Sequence, residues 1–252
     1  MKILIITSYI EHPYSLSESA AASDYIICAD GGYDIAKGLG IKPDLLLGDF
    51  DSINLDVAGI PDDIEISKFP PEKDYTDLEL AINKAMEIAG SRDFSASLEP
   101  SPLQIEIAGG IGGRLDHTIA NIQLLSAYSN ERTFLTLRDG NNFCFVLNGN
   151  CGEYSPMYCA SQHNSVVNSS CDLTPVISNS TAEIPVQKDS YISIFSLSEA
   201  CSGVTFEGVK YPLHNHRLTN TYPLGVSNEF ISEKATLHVE DGSLLVIISK
   251  RL

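Results

Sequence analysis

Apolar residues in the first half of the chain come in short runs. Residues 2–7, 25–29, 45–47, 105–108 and 133–137 are rich in Ile, Leu and Ala, and each ends in polar or glycine-rich residues. Runs of this length predict strands of a parallel sheet covered on both faces. Between them the period changes. Leu78, Ala81, Ile82, Ala85, Met86 and Ala89 recur at spacings of three and four, and Leu115, Ile119, Ile122 and Leu125 or Ser126 repeat the pattern. Both segments predict amphipathic helices. Alternating strands and helices predict an α/β fold, an N-terminal Rossmann-like parallel sheet.

From about Asn142 the pattern becomes that of strands alone. Residues 143–147, 191–197, 203–206, 207–211, 235–239 and 244–249 read as short strands between turn residues, with no convincing amphipathic helix among them. That predicts a C-terminal all-β sandwich or barrel. The expected division is therefore an α/β domain over 1–141 and a β-sandwich domain over 142–252. Residues 161–181 are rich in Ser and Asn without a period and predict a long surface loop.

Composition narrows the partners. The 252 residues carry a formal net charge of −17. Such a surface repels nucleic acid and anionic membranes, whereas a free nucleotide needs only one local pocket with bound cations. The first apolar run is too short for a signal peptide, and no stretch approaches the roughly 18 apolar residues of a membrane helix. The six cysteines form no C-x-x-C pair. Reduced thiols in a cytoplasm are the expectation.

Ligands of an open α/β sheet bind beyond the carboxyl ends of its strands, and the acids and glycines gather at those ends. They are Asp30-Gly31-Gly32, Gly48-Asp49-Phe50-Asp51-Ser52, Lys73-Asp74-Tyr75-Thr76-Asp77 and Gly109-Gly110-Ile111-Gly112-Gly113-Arg114-Leu115-Asp116-His117. Asp49 and Asp51, two apart in extended backbone, point the same way and either ligate Mg²⁺ or cap a local turn. Thr76 and Glu79 fit a capping box, which accounts for Asp77 in a first helical turn. It leaves Lys73 and Asp74 outside the helix, where a metal–phosphate group is the other reading. Four glycines in five residues ahead of a helix offer backbone N–H groups to an anion, and Arg114 offers a bidentate clamp. Asp116 is a further metal candidate, and His117 reads as structural.

In this order and on this scaffold, the segments resemble the thiamine pyrophosphokinase family. The resemblance continues through 203–213 (GVTFEGVKYPL) and 225–230 (GVSNEF), so it spans nearly the whole chain. It implies a homodimer with active sites between subunits, and transfer of a diphosphate from ATP to the hydroxyl of thiamine with Mg²⁺. On that pattern Asp49, Asp51, Asp74 and Asp77 are the catalytic acids and, with Asp116, the metal set. Asp30, Gly31, Lys73, Gly110, Gly112, Gly113 and Arg114 bind the nucleotide. Tyr211, where the family often has Trp, binds the vitamin with Ser227 and Asn228.

The same residues, taken without the family, also fit a pterin diphosphokinase of related fold or a Mg²⁺-dependent nucleotide hydrolase. A nucleotide-sensing module without turnover fits less well, because pure binding rarely needs five clustered carboxylates. The proton of the attacking alcohol goes either to a cluster Asp or to a phosphate oxygen.

Overall fold

In the computed structural model the apolar runs become strands β1 (Lys2–Ile6), β2 (Tyr25–Ala29), β3 (Leu45–Gly48), β5 (Leu103–Ala108) and β6 (Thr133–Arg138), with β4 (Glu65–Lys68) added at an edge. Helices α1 (Leu16–Ala21), α2 (Gly32–Gly38), α3 (Asp77–Ser91) and α4 (Leu115–Tyr128) connect them. The structure describes residues 1–11, 16–49, 60–69, 75–91, 102–130, 132–149, 175–178 and 180–251. Two units are distinguished: Met1–Leu124 with Leu135–Gly140, and Leu125–Phe134 with Asn141–Leu252.

In the first unit the strand order is β5-β1-β2-β3-β4, and every one of these pairings is parallel. Leu4, Ile6, Ile26, Cys28 and Leu46 turn to one face, against Leu16 of α1 and Tyr33 and Ala36 of α2. The alternate residues Ile3, Ile5, Ile27, Leu45 and Leu47 are equally buried. Helix α3 packs on β1, β2, β3 and β5 and buries Leu78, Ala81, Ile82 and Ala85 of the stripe its periodicity predicts, while Met86 of that stripe is 38% exposed. Helix α4 departs from expectation. Leu115 and Ile119 are 72% and 51% exposed, whereas Leu125 of the same stripe is buried as expected, and the polar Asn121 is buried as well. Successive strands step outward from β1 to β4, and the chain returns through α3 to β5 on the other side of β1. The order therefore reverses between β1 and β5, where such sheets open a crevice for ligands.

The second unit contains β7 (Asn142–Asn148), β8 (Val176–Ser178), β9 (Thr181–Pro185), β10 (Ser190–Ser196), β11 (Ala200–Glu207), β12 (Leu213–Thr219), β13 (Gly225–Glu229), β14 (Lys234–His238) and β15 (Ser243–Lys250). One run of strands is ordered β13-β10-β15-β7 and the other β12-β11-β14-β9-β8. Their pairings are antiparallel. Phe143, Phe145, Leu147, Ile192, Ile194, Leu244 and Val246 of the first run share one core with Ala182, Ile184, Val204, Phe206, Leu218 and Leu237 of the second. Among the described residues beyond Asn142 there is no helix.

Two expectations are corrected here. Residues 207–211 are not a strand. β11 ends at Glu207, Gly208 takes φ +75, and a side chain there would meet the Lys234 carbonyl oxygen at 2.3 Å. The backbone bends, and Val209 forms only an isolated bridge to Phe230. The aperiodic segment expected over 161–181 gives way to β8 at Val176; its earlier part, through residue 174, lies outside the described residues.

Candidate functional site

The ends of β1 and β5 are laced together by backbone contacts. Thr7 donates its N–H to the Ala108 carbonyl at 3.1 Å and its hydroxyl to the same oxygen at 3.0 Å. Gly110 N–H donates to the Tyr9 carbonyl at 3.0 Å and Gly109 N–H to the Arg138 carbonyl at 2.8 Å. Gly109 has φ +87, and a Cβ on it would lie 2.1 Å from the Tyr9 carbonyl oxygen. Only glycine permits that approach.

The same contacts narrow what the glycine turn offers an anion. Gly112 N–H donates to the Thr118 hydroxyl at 3.1 Å, and the Asn121 amide donates to the Gly110 carbonyl at 2.8 Å. Gly109, Gly110 and Gly112 therefore spend their N–H groups on the protein itself. The amides of Ile111, Gly113 and Arg114 are not engaged in these bonds. Gly113 has φ +60 and lies against the Tyr9 ring, which is 43% exposed.

The next strand end carries Asp30. Its N–H donates to the Leu47 carbonyl at 2.7 Å, and it holds φ 48, unusual for a side-chain-bearing residue. Gly48 accommodates it, since a Cβ there would sit 3.2 Å from the Asp30 Cα. Gly31 lies as close to Ser8, and Gly32 presses on the Ile6 carbonyl. Asp49 follows directly on β3 and is half-buried. Thus Asp30, Gly31 and Asp49 stand on adjoining strand ends beside β1. Asp51, Lys73 and Asp74 lie outside the described residues.

Asp77 opens α3. Thr76 caps that helix, accepting the Glu79 N–H on its hydroxyl at 3.2 Å, as the capping-box spacing predicts. Arg114 and Asp116 pair with each other, Nη2 to Oδ2 at 2.6 Å and Nε to Oδ1 at 3.2 Å. This bidentate bond to the guanidinium holds the Asp116 carboxyl below its ordinary range. Among the described residues no three His, Cys, Asp or Glu side chains gather around one point. The carboxylates that are described are all-oxygen donors, the chemistry Mg²⁺ takes.

In the second unit, Tyr211, Ser227 and Asn228 come together at the end of β13. Tyr211 is 63% exposed, whereas Asn228 is buried at 4%. Asn228 Oδ1 accepts the Tyr211 N–H at 3.0 Å, and its amide donates to the Tyr211 carbonyl at 2.8 Å. Ser227 holds φ 57, with its N–H donated to the Ser193 hydroxyl at 3.0 Å.

Sequence reasoning passes over Thr7, Tyr9, Thr118 and Asn121, which shape the glycine turn from outside it. Thr7 and Tyr9 follow directly on the first strand, and that position at a reversal of strand order is the available signal. Asn121 has no signal beyond an amide on the inner face of a helix.

The chain matches the family model described as thiamin pyrophosphokinase, catalytic domain, over residues 16–137. It matches that described as thiamin pyrophosphokinase, vitamin B1 binding domain, over residues 181–244. A thiamine pyrophosphokinase of Bacillus subtilis is 31% identical over 235 residues, covering 88% of this chain and 86% of the relative. The crystal structure of thiamine pyrophosphokinase from Bacillus subtilis superposes with a TM-score of 0.72 at 25% identity, over 100% of this chain and 99% of that one. Thiamin pyrophosphokinase from Candida albicans has the same fold, with a TM-score of 0.70 at 17% identity, over 99% and 88% of the two chains.

Proposed function

The chain belongs to the thiamin pyrophosphokinase family and is a diphosphotransferase acting on thiamine, and we propose that ATP is its donor, Mg²⁺ its metal and AMP its second product. The α/β part, 1–141, serves as a Rossmann-like catalytic domain, and 142–252 as a β-sandwich that receives the vitamin. The observation that carries this reading is the meeting of β1, β2, β3 and β5 ends. There Asp30 packs against Gly48, the residue before Asp49, beside a glycine turn and a helix that starts just after Arg114.

In this reading Asp49, Asp51, Asp74, Asp77 and Asp116 hold Mg²⁺, which when bound neutralises charge on the transferring phosphates. The Gly113 and Arg114 amides, at the start of α4, take phosphate oxygens. Gly110 and Gly112 contribute by shape, allowing the β1 and α4 contacts that fix the turn. Arg114 serves a phosphate once it is released from Asp116, and Lys73 lies close by in sequence to Asp74. The thiamine hydroxyl loses its proton to a cluster Asp or a phosphate oxygen as it attacks. Tyr211 offers the vitamin an exposed aromatic face, with Ser227 beside it.

The protein acts in the cytoplasm as a homodimer with active sites at the subunit interface. The exposed Leu115 and Ile119, one turn apart on α4, support the dimer as apolar surface that a second copy would cover. Neither a pterin acceptor nor simple nucleotide hydrolysis has comparable support.

Incubation with ATP, Mg²⁺ and thiamine tests the reaction: AMP and thiamine diphosphate appear together, and only when thiamine is present. AMP or ADP released without an acceptor overturns the transfer reading. Asp49→Asn and Asp51→Asn each lose about 100-fold or more of kcat while the far-UV circular dichroism is retained. Near-normal turnover in both removes them from the metal set.

A further inference from the structure

The family pattern puts Asn228 among the groups that touch the vitamin, but its side chain is already occupied. Oδ1 accepts two N–H groups, from Tyr211 at 3.0 Å and from Glu229 at 3.0 Å. The amide nitrogen donates to the Tyr211 carbonyl at 2.8 Å. An Asn carboxamide offers two acceptor sites and two N–H groups, so three of the four are committed to the chain's own backbone. The residue is 4% exposed. The network also fixes which end of the carboxamide is oxygen, because only that orientation satisfies all three partners.

What this side chain does is visible in the neighbouring bonds. The segment after β11 runs beside the end of β13. Ile231 N–H donates to the Gly208 carbonyl at 3.0 Å, and Lys210 N–H donates to the Glu229 carbonyl at 2.9 Å, with Val209 and Phe230 bridged between them. The next rung would need β13 backbone opposite Tyr211. Ser227 has turned into the left-handed region, and the Asn228 carboxamide supplies that rung instead, receiving the Tyr211 N–H and serving its carbonyl. Tyr211 is thereby held at both backbone groups while its ring stays 63% exposed. Beside that ring the Lys210 ammonium stands 5.6 Å from the centroid and is tied to Glu229 at 2.9 Å.

We propose that Asn228 is a positioning residue: its carboxamide clamps the Tyr211 backbone so that the exposed ring is pre-set for the aminopyrimidine of thiamine, and it does not bind the vitamin itself. This rests on the reading of Tyr211 as a vitamin-binding position. Clamping a ring before the ligand arrives removes ordering entropy from binding, so its loss shows in thiamine KM more than in kcat.

A double-mutant cycle tests it, because a residue that acts only through another adds nothing once the other is gone. Tyr211→Ala raises thiamine KM about tenfold, in the range of lost base–aromatic stacking. Asn228→Ala raises it by a similar factor and leaves ATP KM unchanged. The double variant is no worse than Tyr211→Ala. A double variant impaired by the product of the two factors, about a hundredfold, shows direct contact and overturns the proposal alone. An unchanged thiamine KM in Tyr211→Ala removes the premise as well. If Asn228→Ala does not fold, Asn228→Asp, which keeps both accepting bonds and loses the donating one, enters the same cycle with the same criterion. The chain has no Trp, so Tyr211→Trp also provides a sole indole. Its fluorescence anisotropy falls when Asn228→Ala is added if the clamp operates, and stays level if it does not.

Discussion

Gly109→Ala measures how tightly the crevice between β1 and β5 is built. Two costs combine. At φ +87 an alanine occupies the left-handed region, at about 1–2 kcal/mol. Its Cβ also meets the Tyr9 carbonyl oxygen at 2.1 Å, with Thr7 Oγ1 at 2.6 Å and Ile10 Cγ1 at 2.8 Å. The first of these is backbone, so the loop after β1 must retreat, at roughly the 1–3 kcal/mol of an overpacked site. The sum, about 2–5 kcal/mol, is large against a typical 5–15 kcal/mol yet leaves a folded population. Urea unfolding followed by helical circular dichroism reads chiefly the α/β unit, which carries the described helices. The midpoint is expected to fall by roughly 1–2 M. Displacing Tyr9 also raises ATP KM while thiamine KM holds. Gly113→Ala is the internal comparison, since its Cβ would meet only Tyr9 ring atoms, at 3.1–3.4 Å, with φ +60. Its stability cost is about 1–2 kcal/mol. A wild-type midpoint in Gly109→Ala, or equal damage from both variants, refutes the reasoning.

Two further outcomes concern stability away from the site. Glu106 is buried, which alone would raise its carboxyl, but the Lys2 ammonium at 3.0 Å and the Ser19 hydroxyl at 2.6 Å more than reverse that and lower it. Its stabilisation is therefore complete above the ordinary value of 4.5 and is lost as pH falls through the lowered folded value. Glu106→Gln costs roughly 2–4 kcal/mol at neutral pH and flattens the acid limb of a thermal-midpoint profile; an acid limb like the wild type's contradicts the assignment. Gly90, in the last turn of α3, has open space where a Cβ would stand, with nothing within 4 Å of it, so Gly90→Ala gains about 0.5–1 kcal/mol, and a lowered melting temperature counts against it.

What the sequence made legible follows from where each strand lies. β1, β2, β3, β7 and β15 are interior strands with continuous apolar runs, and in β5 the run is broken only by Gln104 and Glu106, so the hydrophobic pattern finds them all. β4, β8, β12 and β13 stand at the edges of their strand orders. β12 reads LHNHRLT with four consecutive exposed residues, because an edge strand with a solvated face needs little apolar character. β13, GVSNE, stands out as a motif but not as a strand, for the same reason. Helix α4 misleads in the opposite direction: its period is real, but Leu115 and Ile119 lie outward. Of the candidate site, Asp30, Gly31, Asp49 and the glycines of 109–113 stand after strands as their sequence positions suggest, whereas Asp51, Lys73 and Asp74 lie outside the described residues. The use of three glycine amides inside the turn is not legible, because it depends on Tyr9, Thr118 and Arg138, residues distant in sequence or ordinary in type. The self-pairing of Arg114 with Asp116 is likewise hidden, since both have separate plausible partners.

Both halves of the proposed reaction rest on a residue held where side chains rarely go. Asp30 at φ 48 and Ser227 at φ 57 are two of the five described non-glycine residues with positive φ, and each such conformation costs of order 1 kcal/mol or more. Such conformations persist only where the surroundings over-determine them. For Asp30 the restraint is its N–H bond to Leu47 with Gly48 yielding space; for Ser227 it is the N–H bond to Ser193 at a register shift between β10 and β13. Glycine would relieve the strain at either position and would also remove the side chain. On the proposed roles, a carboxylate at one position and a hydroxyl at the other are held against that conformational cost, and stability and activity are expected to pull in opposite directions at these two strained turns.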